Sequence, residues 1–331
     1  MKIAVDAMGG DRAPEVVIEG VFDALKESKE EIILVGDRER IEALFRRIPP
    51  CISIYHAPEV IGMDESPSFA IRKKKDSSIV RAISLLREGE VDAVVTAGNT
   101  GACVAAASIY LKPIPGIERV ALACPLPTPD GCCLLLDVGA TVDCSAESLF
   151  QFAIMGDIYA RKIIGEEAPR IGLVNIGEES SKGNKTVKEA YNLLKNSRLN
   201  FVGNIEGRDI FSGKVDVAVC DGFVGNILLK SNEGLAETLE SSLRREIEKK
   251  MIYRLGAFLI RSAYRIFKDK TSYASYGGAP LLGIQGYCVK AHGASSAYAI
   301  KNSILVAEKE VMTGVNQEIQ QYFSGDDLKK K

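Results

Sequence analysis

The sequence predicts an α/β fold built on a mostly parallel, doubly wound sheet that helices cover on both faces. Two observations lead to this prediction: short runs rich in Val, Ile and Leu recur along the chain, and longer segments with helical periodicity separate them. Strands that are buried on both faces give continuous apolar runs, which is typical of parallel sheets. The 331 residues, 46% hydrophobic and 26% charged, suffice for one large domain or two modest ones.

Eight strands are predicted from the apolar runs. They are residues 2–7, 31–37, 53–57, 91–98, 133–139, 170–177, 200–205 and 215–222. Helical periodicity is clearest at 13–27 and 148–165, and short strands joined by a glycine-rich turn are predicted within 280–293. Because no linker or repeat divides the chain, residues 1–325 are predicted to form one domain, followed by a solvated tail at 326–331.

Residues 234–270 have a different character, because the strands stop and the pattern becomes continuously helical. We expect a helical hairpin that protrudes from the domain, with a break near Lys250. On a helical projection of residues 250–268, cations lie in one arc and apolar residues lie opposite. That pattern is typical of a helix lying on anionic lipid, and it is equally compatible with packing against a partner subunit.

Composition and charge argue against several classes of function. The net charge of −2 provides no basic field for nucleic acid. The eight cysteines include no CxxC pair and lie mainly in apolar stretches, which indicates reduced, buried thiols. With no signal peptide before the first strand and no run of about 18 apolar residues, a cytoplasmic protein or one on the inner face of a membrane is predicted.

Polar, glycine-rich corners follow five of the predicted strands. These corners are residues 6–11, 96–102, 137–141, 175–184 and 221–226. The carboxyl ends of parallel strands lie along one edge of the sheet, so we expect the corners to line one cleft. Glycine lets backbone amides approach a ligand, and helix N-termini favour anions. Any single corner is better explained as a helix cap or turn, but the set predicts a site for an anion and a polarised carbonyl.

Common catalytic motifs are absent from the sequence. There is no Walker motif, no GxGxxG fingerprint, no GxSxG elbow, no HExxH and no cysteine–histidine metal spacing. Of the two histidines, His56 lies on a predicted strand and His292 follows one, which makes His292 the better candidate for the site. We therefore predict no metal or nucleotide cofactor, and a nucleophile that arrives as a substrate, such as phosphate.

Seven motifs together resemble the bacterial phosphate acyltransferases, the PlsX family. They are DAMGGD (6–11), AGNTGA (97–102), LDVGA (136–140), NIGEE with KGN (175–184), CDGFVGN (220–226), YGGAPLLG (276–283) and KAHG (290–293). The resemblance implies a three-layer α/β/α sandwich similar to phosphotransacetylase and isocitrate dehydrogenase, and a homodimer that associates peripherally with membrane. It implies transfer of a fatty acyl group from acyl-[acyl carrier protein] to inorganic phosphate. The acyl phosphate would feed a glycerol-3-phosphate acyltransferase in phospholipid synthesis.

The resemblance also implies roles for individual residues. The catalytic lysine and asparagine of the family fall on Lys182 and Asn226, with Lys185 as an alternative to Lys182. The substrate-binding candidates are the polar and glycine residues of the corners, namely Asp6, Gly9, Gly10, Asp11, Gly98, Asn99, Thr100, Gly101, Asp137, Asn175, Gly177, Glu178, Asp221, Gly222, Gly225 and His292. The candidates for membrane or partner contact are Arg254, Leu259, Ile260, Arg261 and Arg265. Thr141 departs from the family pattern, which usually has Asn there, and so lacks a carboxamide.

The chemistry of the implied reaction fits these residue types. Attack of phosphate on a thioester requires neutralisation of the nucleophile's charge and stabilisation of a developing oxyanion, which a lysine and an asparagine provide. Two alternatives remain: a decarboxylating NAD-dependent dehydrogenase on the related fold, and a non-enzymatic adaptor recruited to membrane. The basic run 72–75 and the cations of 250–268 offer a surface to an acidic carrier protein, although a solvated loop is the simpler explanation for 72–75.

Overall fold

An eleven-stranded sheet forms the centre of the structure, and helices pack on both of its faces. The computed structural model describes residues 1–264, 267 and 276–325. The strands are β1 (Lys2–Asp6), β2 (Glu31–Gly36), β3 (Ile52–His56), β4 (Ala93–Thr96), β5 (Ala121–Thr128), β6 (Gly131–Leu136), β7 (Ile171–Val174), β8 (Phe201–Ile205), β9 (Val217–Val219), β10 (Ala279–Leu282) and β11 (Tyr287–Lys290). All eight strands predicted individually are present, and so are the two expected within 280–293.

Helices form the two outer layers of the domain and the segment that protrudes from it. They are α1 (Glu15–Ala24), α2 (Arg38–Glu42), α3 (Pro67–Lys73), α4 (Ser78–Glu88), α5 (Thr100–Tyr110), α6 (Ala146–Tyr159), α7 (Lys185–Lys195), α8 (Gly222–Glu248), α9 (Met251–Leu259), α10 (Ala297–Thr313) and α11 (Val315–Phe323). A π-helical turn (Ala160–Ile164) extends α6, and a 3₁₀ turn (Gly207–Phe211) precedes β9.

The strands are apolar throughout because both faces of the sheet are covered. In β6, Leu134 and Leu136 point into the layer of α1, α6, α7, α10 and α11, whereas Cys133 and Leu135 point into the layer of α3, α4 and α5. All four side chains are fully buried. Successive residues of a strand face opposite sides, so two cores require an uninterrupted apolar run. The predicted three-layer α/β/α sandwich is confirmed.

The sheet consists of two parallel halves that run in opposite directions. The strand order is β3-β2-β1-β4-β11-β10-β5-β6-β9-β7-β8, and the pairs β11–β10, β10–β5 and β5–β6 are antiparallel. The expectation that all polar corners share one edge of a parallel sheet is therefore wrong. The corners after β1 and β4 belong to one half, and the corners after β6, β7 and β9 belong to the other.

The reversal depends on β5, a strand that the sequence pattern did not predict. This strand contains Pro125 and Pro127, and proline normally excludes a segment from the middle of a sheet. The pairing of β5 with β10 ends at Leu122, whereas its pairing with β6 continues to Thr128. Beyond Leu122 that side of β5 has no hydrogen-bonded strand among the described residues, which explains why two residues without an N–H are tolerated there.

The protruding segment begins inside the domain. Helix α8 is continuous over 27 residues, so its first turn packs on the sheet while its second half is exposed. The predicted break near Lys250 is confirmed by the gap between α8 and α9. A continuous helix over 250–268 is wrong, because α9 ends at Leu259 and Ile260 lies in a turn. No residue of α9 is buried, so tertiary packing does not stabilise a longer helix. Gly256 lies within α9 and lowers its helix propensity.

The predicted contact with membrane or a partner concerns residues at the surface of the protein. Arg265, assigned from the sequence to the membrane or partner contact, lies outside the described residues. Within the part of the chain that the structure describes, no helix combines the length and the apolar character needed to cross a bilayer.

Candidate active site

A cavity of about 530 Å³ lies where the two half-sheets meet. Strands β5 and β10, which join the halves, contribute Leu122 and Ala279 to its lining. The first half contributes residues such as Thr100, at the start of α5, and Lys290, at the end of β11, and the second half contributes Asn226. The reversal of the sheet thus brings together residues that are far apart in sequence.

Close packing of glycines holds the corners after β1 and β4 together. A Cβ on Gly9 would lie 2.6 Å from the amide nitrogen of Gly98 and 2.6 Å from Oδ2 of Asp6. Asp6 is buried, and its carboxylate accepts hydrogen bonds from the Thr96 hydroxyl at 2.7 Å and the Met8 N–H at 3.2 Å. Burial raises the pKa of Asp6 above its usual value. Asp6 therefore fixes this wall of the cavity from behind and does not line it.

Asn99 positions the start of helix α5 at the cavity. Its Oδ1 accepts the Ala102 N–H at 3.0 Å, which caps the helix. Its Nδ2 donates to the carbonyl oxygens of Gly62, Met63 and Glu65 at 2.9–3.2 Å. With the Asn99 side chain fully engaged, the groups that remain for a ligand are the N–H groups of Thr100 and Gly101, which have no acceptor within the helix.

Asp137 organises the corner after β6 in the second half. This fully buried carboxylate accepts hydrogen bonds from four backbone N–H groups, those of Leu122, Gly139, Ala140 and Thr141, at 2.6–3.2 Å. Thr141 donates its hydroxyl to the carbonyl of Val120 at 3.0 Å. Both side chains therefore tie the corner to the chain that leads into β5.

The first turn of α8 rests directly on this corner and presents Asn226. A Cβ on Gly225 would lie 1.8 Å from the carbonyl oxygen of Asp137, so only glycine permits this approach. Asp221 caps the helix by accepting the Val224 N–H at 2.8 Å. Asn226 is half-buried, lines the cavity beside Gly139, and its carboxamide makes no hydrogen bond with the described residues. That carboxamide is available to a ligand.

The corner after β7 lies further out in the second half and contains Lys182. The Asn175 carboxamide donates to the carbonyl oxygen of Lys182 at 3.2 Å, and Glu178 pairs with Lys214 at 2.6 Å. Lys182 is exposed and does not line the cavity. Lys185 is also exposed, and its amine lies 3.8 Å from Glu189. The assignment of either lysine to catalysis stays a prediction.

The structure thus divides the predicted site residues into two groups. Those that line the cavity are Asp11, Asn99, Thr100, Gly101, Asn226 and His292. Those that do not line it are Asp6, Gly9, Gly10, Gly98, Asp137, Asn175, Gly177, Glu178, Lys182, Asp221, Gly222 and Gly225. Most of the second group holds the first group in place by backbone hydrogen bonds or by close packing.

Two cations in the cavity lining were not assigned from the sequence. Lys230 lies on α8 and is exposed, whereas Lys290 ends β11 with 5% of its surface exposed. The ammonium of Lys290 donates to the carbonyl oxygen of Ala291. A signal existed in the sequence, because Lys290 is a charged residue that directly ends an apolar run within the KAHG motif.

Comparison with known proteins identifies the family. The family described as "Fatty acid synthesis protein" matches residues 1–318. The phosphate acyltransferase of Syntrophotalea carbinolica is 52% identical over 320 residues, covering 96% of this chain and 92% of that protein. That of Geobacter sulfurreducens is 51% identical over 322 residues, covering 96% and 93%. The chain belongs to this phosphate acyltransferase family. The resemblance seen in the motifs is confirmed.

Solved structures of other enzymes share the fold of this chain. A phosphotransacetylase from Streptococcus pyogenes aligns with a TM-score of 0.62 at 18% identity, covering 94% of both chains. A branched-chain phosphotransacylase from Enterococcus faecalis gives 0.56 at 15%, covering 94% of this chain and 99% of that one. A 4-hydroxythreonine-4-phosphate dehydrogenase from Klebsiella pneumoniae gives 0.53 at 16%, with the same coverage. The fold is therefore shared with dehydrogenases, and the acyltransferase relatives at about half identity decide the family.

Proposed function

We propose that the protein transfers a fatty acyl group from acyl-[acyl carrier protein] to inorganic phosphate, forming an acyl phosphate for phospholipid synthesis. The observation that carries this proposal is the 52% identity to a phosphate acyltransferase over 96% of the chain. The cavity supports it, since free backbone N–H groups and the Asn226 carboxamide suit an anion and a polarised carbonyl. The dehydrogenase and adaptor alternatives have no comparable support.

In the proposed reaction, a phosphate oxygen attacks the carbonyl carbon of the thioester. The new bond joins carbon to the phosphate oxygen, and the carbon–sulfur bond breaks to release the carrier's thiolate, which takes a proton from solvent. The Asn226 carboxamide donates a hydrogen bond to the oxyanion of the tetrahedral intermediate. Lys182 neutralises charge on the nucleophile. This role is supported by the family resemblance and by the exposed amine of Lys182, which makes no ion pair with the described residues.

Direct transfer to phosphate is favoured over an acyl-cysteine intermediate. Cys124 lines the cavity and is the thiol best placed to act as a nucleophile there. Burial raises the pKa of Cys124 to about 12. Because the thiolate is the reactive form, this side chain is essentially unreactive near neutral pH.

We further propose that the protein is a homodimer joined through the second half of α8. Leu235, Leu239 and Leu243 follow one another at intervals of four residues, and 57%, 62% and 49% of their surfaces are exposed. This spacing places them on one helical face, which would be buried against the same face of a second copy.

Helix α9 is proposed to contact anionic membrane, which would keep this cytoplasmic protein near a glycerol-3-phosphate acyltransferase that uses its product. Ile252, Leu255 and Leu259 are 55–71% exposed and share one side of α9, whereas Arg254 lies on the opposite side and Arg261 follows the end of the helix. An apolar face with cations on the polar face is the arrangement required at a lipid surface. The same cations are available to the acidic carrier protein.

Incubation of the purified protein with palmitoyl-carrier protein and phosphate tests the proposed reaction. Acyl phosphate and free carrier protein should form together in equal amounts, measured by ³¹P NMR and by titration of the released thiol. Thiol release without acyl phosphate would indicate a thioesterase and contradict the proposal.

Three variants test the catalytic residues. Removing a donor that stabilises an oxyanion typically costs 10²–10³ in kcat, so Asn226→Ala should lower turnover by about that factor. Lys182→Ala should be similarly impaired, whereas Lys185→Ala, which removes a neighbouring exposed lysine, should retain activity. If Lys185→Ala alone is inactive, the catalytic lysine is Lys185. Near-normal rates in folded Asn226→Ala and Lys182→Ala would show that the site is wrongly assigned.

A further inference from the structure

We infer that Lys290 binds the phosphate substrate, together with the N-terminus of helix α5. The inference deepens the proposed function and rests on it for the identity of the anion. It concerns a residue at the end of β11 that lines the cavity on the side of the first half-sheet, whereas Asn226 lines it from the second.

The first argument is the burial of the Lys290 charge. Only 5% of this residue is exposed, and among the described residues no carboxylate lies within 4 Å of its ammonium. The ammonium has three N–H donors, and the structure provides one acceptor, the carbonyl oxygen of Ala291. A charged group that is removed from water without an anionic partner is costly unless a ligand supplies the counter-charge.

The second argument is the position of Lys290 beside a second group of anion-binding donors. Strands β11 and β4 are parallel neighbours, and Lys290 pairs with Thr96. The chain continues from Thr96 into α5, whose first residues Thr100 and Gly101 line the same cavity. A helix of 11 residues directs its positive end and its free N–H groups at an anion placed there.

The charges around Lys290 come from several elements. They are the carboxylates of Asp6 and Asp11, the thiols of Cys103 on α5 and Cys288 on β11, and, in the cavity lining, Lys230 and Glu233 of α8 and His292. Burial lowers the pKa of Lys290 to about 8, and the nearby Cys103 and Asp6 partly oppose that effect. Asp6 is itself buried, which raises its pKa, and its carboxylate already accepts hydrogen bonds from Thr96 and Met8. A bound dianion would stabilise the charged form of Lys290.

A phosphate at this position satisfies both sets of donors. Its oxygens would accept from the Lys290 ammonium and from the first turn of α5, which leaves one oxygen to face the thioester beside Asn226. Lys290 would thus hold the phosphate from within the cavity lining, whereas Lys182 would act on it from an exposed loop.

Kinetics of Lys290→Met test this inference, since methionine matches the length of the aliphatic chain without the charge. Loss of a hydrogen bond to a charged group should raise the KM for phosphate about 10–100-fold, while the KM for acyl-carrier protein changes less than about threefold. Lys301→Met is the matched control, because Lys301 is a similarly sheltered lysine (15% exposed) that pairs with Glu27 outside the cavity. An equal rise in both KM values, or none for phosphate, would overturn the inference.

Binding of sulfate to the wild-type protein provides a test that depends on neither folding of the variant nor activity. Sulfate keeps its charge between pH 7 and pH 9, so calorimetric titration over that range reports on the protein alone. We expect sulfate affinity to fall as the pH rises through about 8, up to tenfold per pH unit, because Lys290 loses its proton. Wild-type affinity that is constant over this range, or undetectable binding at every pH, refutes the inference. If sulfate binds as expected but no acyl phosphate is formed, the proposed function fails while the anion site stands.

Discussion

Replacement of Gly225 by alanine should displace Asn226 without changing its side chain, and so test how far catalysis depends on the position of that carboxamide. The new Cβ would lie 1.8 Å from the carbonyl oxygen of Asp137 and 3.0 Å from Sγ of Cys220. Such contacts are not found below about 3.0 Å, so the first turn of α8 has to withdraw from the corner after β6 by about 1 Å. Asn226 is the next residue and moves with it.

The expected effect on catalysis follows from that displacement. A misplacement of about 1 Å can cost about 10²-fold in rate even when the reacting groups are unchanged. Overpacking of this kind also lowers the free energy of unfolding by about 1–3 kcal/mol. We therefore expect Gly225→Ala to remain folded at 20 °C with kcat for acyl phosphate formation lowered about 100-fold.

Gly234→Ala is a matched control in the same helix. A Cβ on Gly234 meets no atom within 4 Å, and the residue lies in the exposed part of α8. Alanine should raise helix stability there by roughly 0.5–1 kcal/mol and leave kcat unchanged. Both variants are compared by urea unfolding and by steady-state kinetics. A folded Gly225→Ala protein with kcat within threefold of the wild type would refute the link between this contact and the placement of Asn226.

Three further predictions concern the membrane, pH and metals. Arg254→Glu with Arg261→Glu should release the protein from anionic vesicles in flotation assays, because each cation contributes about 1 kcal/mol near such a surface; retained binding with a higher KM for carrier protein would indicate protein docking instead. Burial raises the pKa of Glu310 from 4.5 to about 8, so the folded state retains a proton that the unfolded state releases. The free energy of unfolding should thus fall by up to about 4 kcal/mol between pH 5 and pH 9, and Glu310→Gln should abolish that slope in urea titrations; parallel slopes would contradict this. Activity should persist in EDTA, and a loss restored by Mg²⁺ would show that the protein needs a metal.

The sequence predicted the layers of the fold better than the direction of its strands. Continuous apolar runs such as those of β1 and β6 reveal burial on both faces, because that property is local. Direction depends on which strands become neighbours, and the decisive strand, β5, is disguised by Pro125 and Pro127. Those prolines are compatible with the sheet only because the pairing of β5 with β10 ends at Leu122. That pairing is a property of the tertiary structure and is not visible in the local sequence.

For the candidate site, sequence motifs located the corners but did not separate ligand-facing groups from supporting ones. Asp137 and Asn226 both follow buried strands, yet Asp137 holds four backbone N–H groups while the Asn226 carboxamide faces the cavity. The difference depends on whether the backbone N–H groups of a corner point towards the polar side chain at that corner. Lys290 was missed for a related reason, because its significance comes from burial beside α5.

The insertion of β11 between β4 and β10 has a consequence for how the protein is made. The ribosome completes β4 at residue 96, but the strand that covers its free edge is not finished until residue 290, roughly 10–40 s later at typical elongation rates. The outer layer is equally delayed, since α1 packs on α10 so closely that a Cβ on Gly20 would lie 2.6 Å from that of Ile300. The nascent N-terminal half therefore leaves the ribosome with an open sheet edge and an uncovered helix, both of which are open to mispairing. The cavity is complete only after nearly the whole chain has been synthesised, so a prematurely terminated product lacks Lys290 and has no complete anion site.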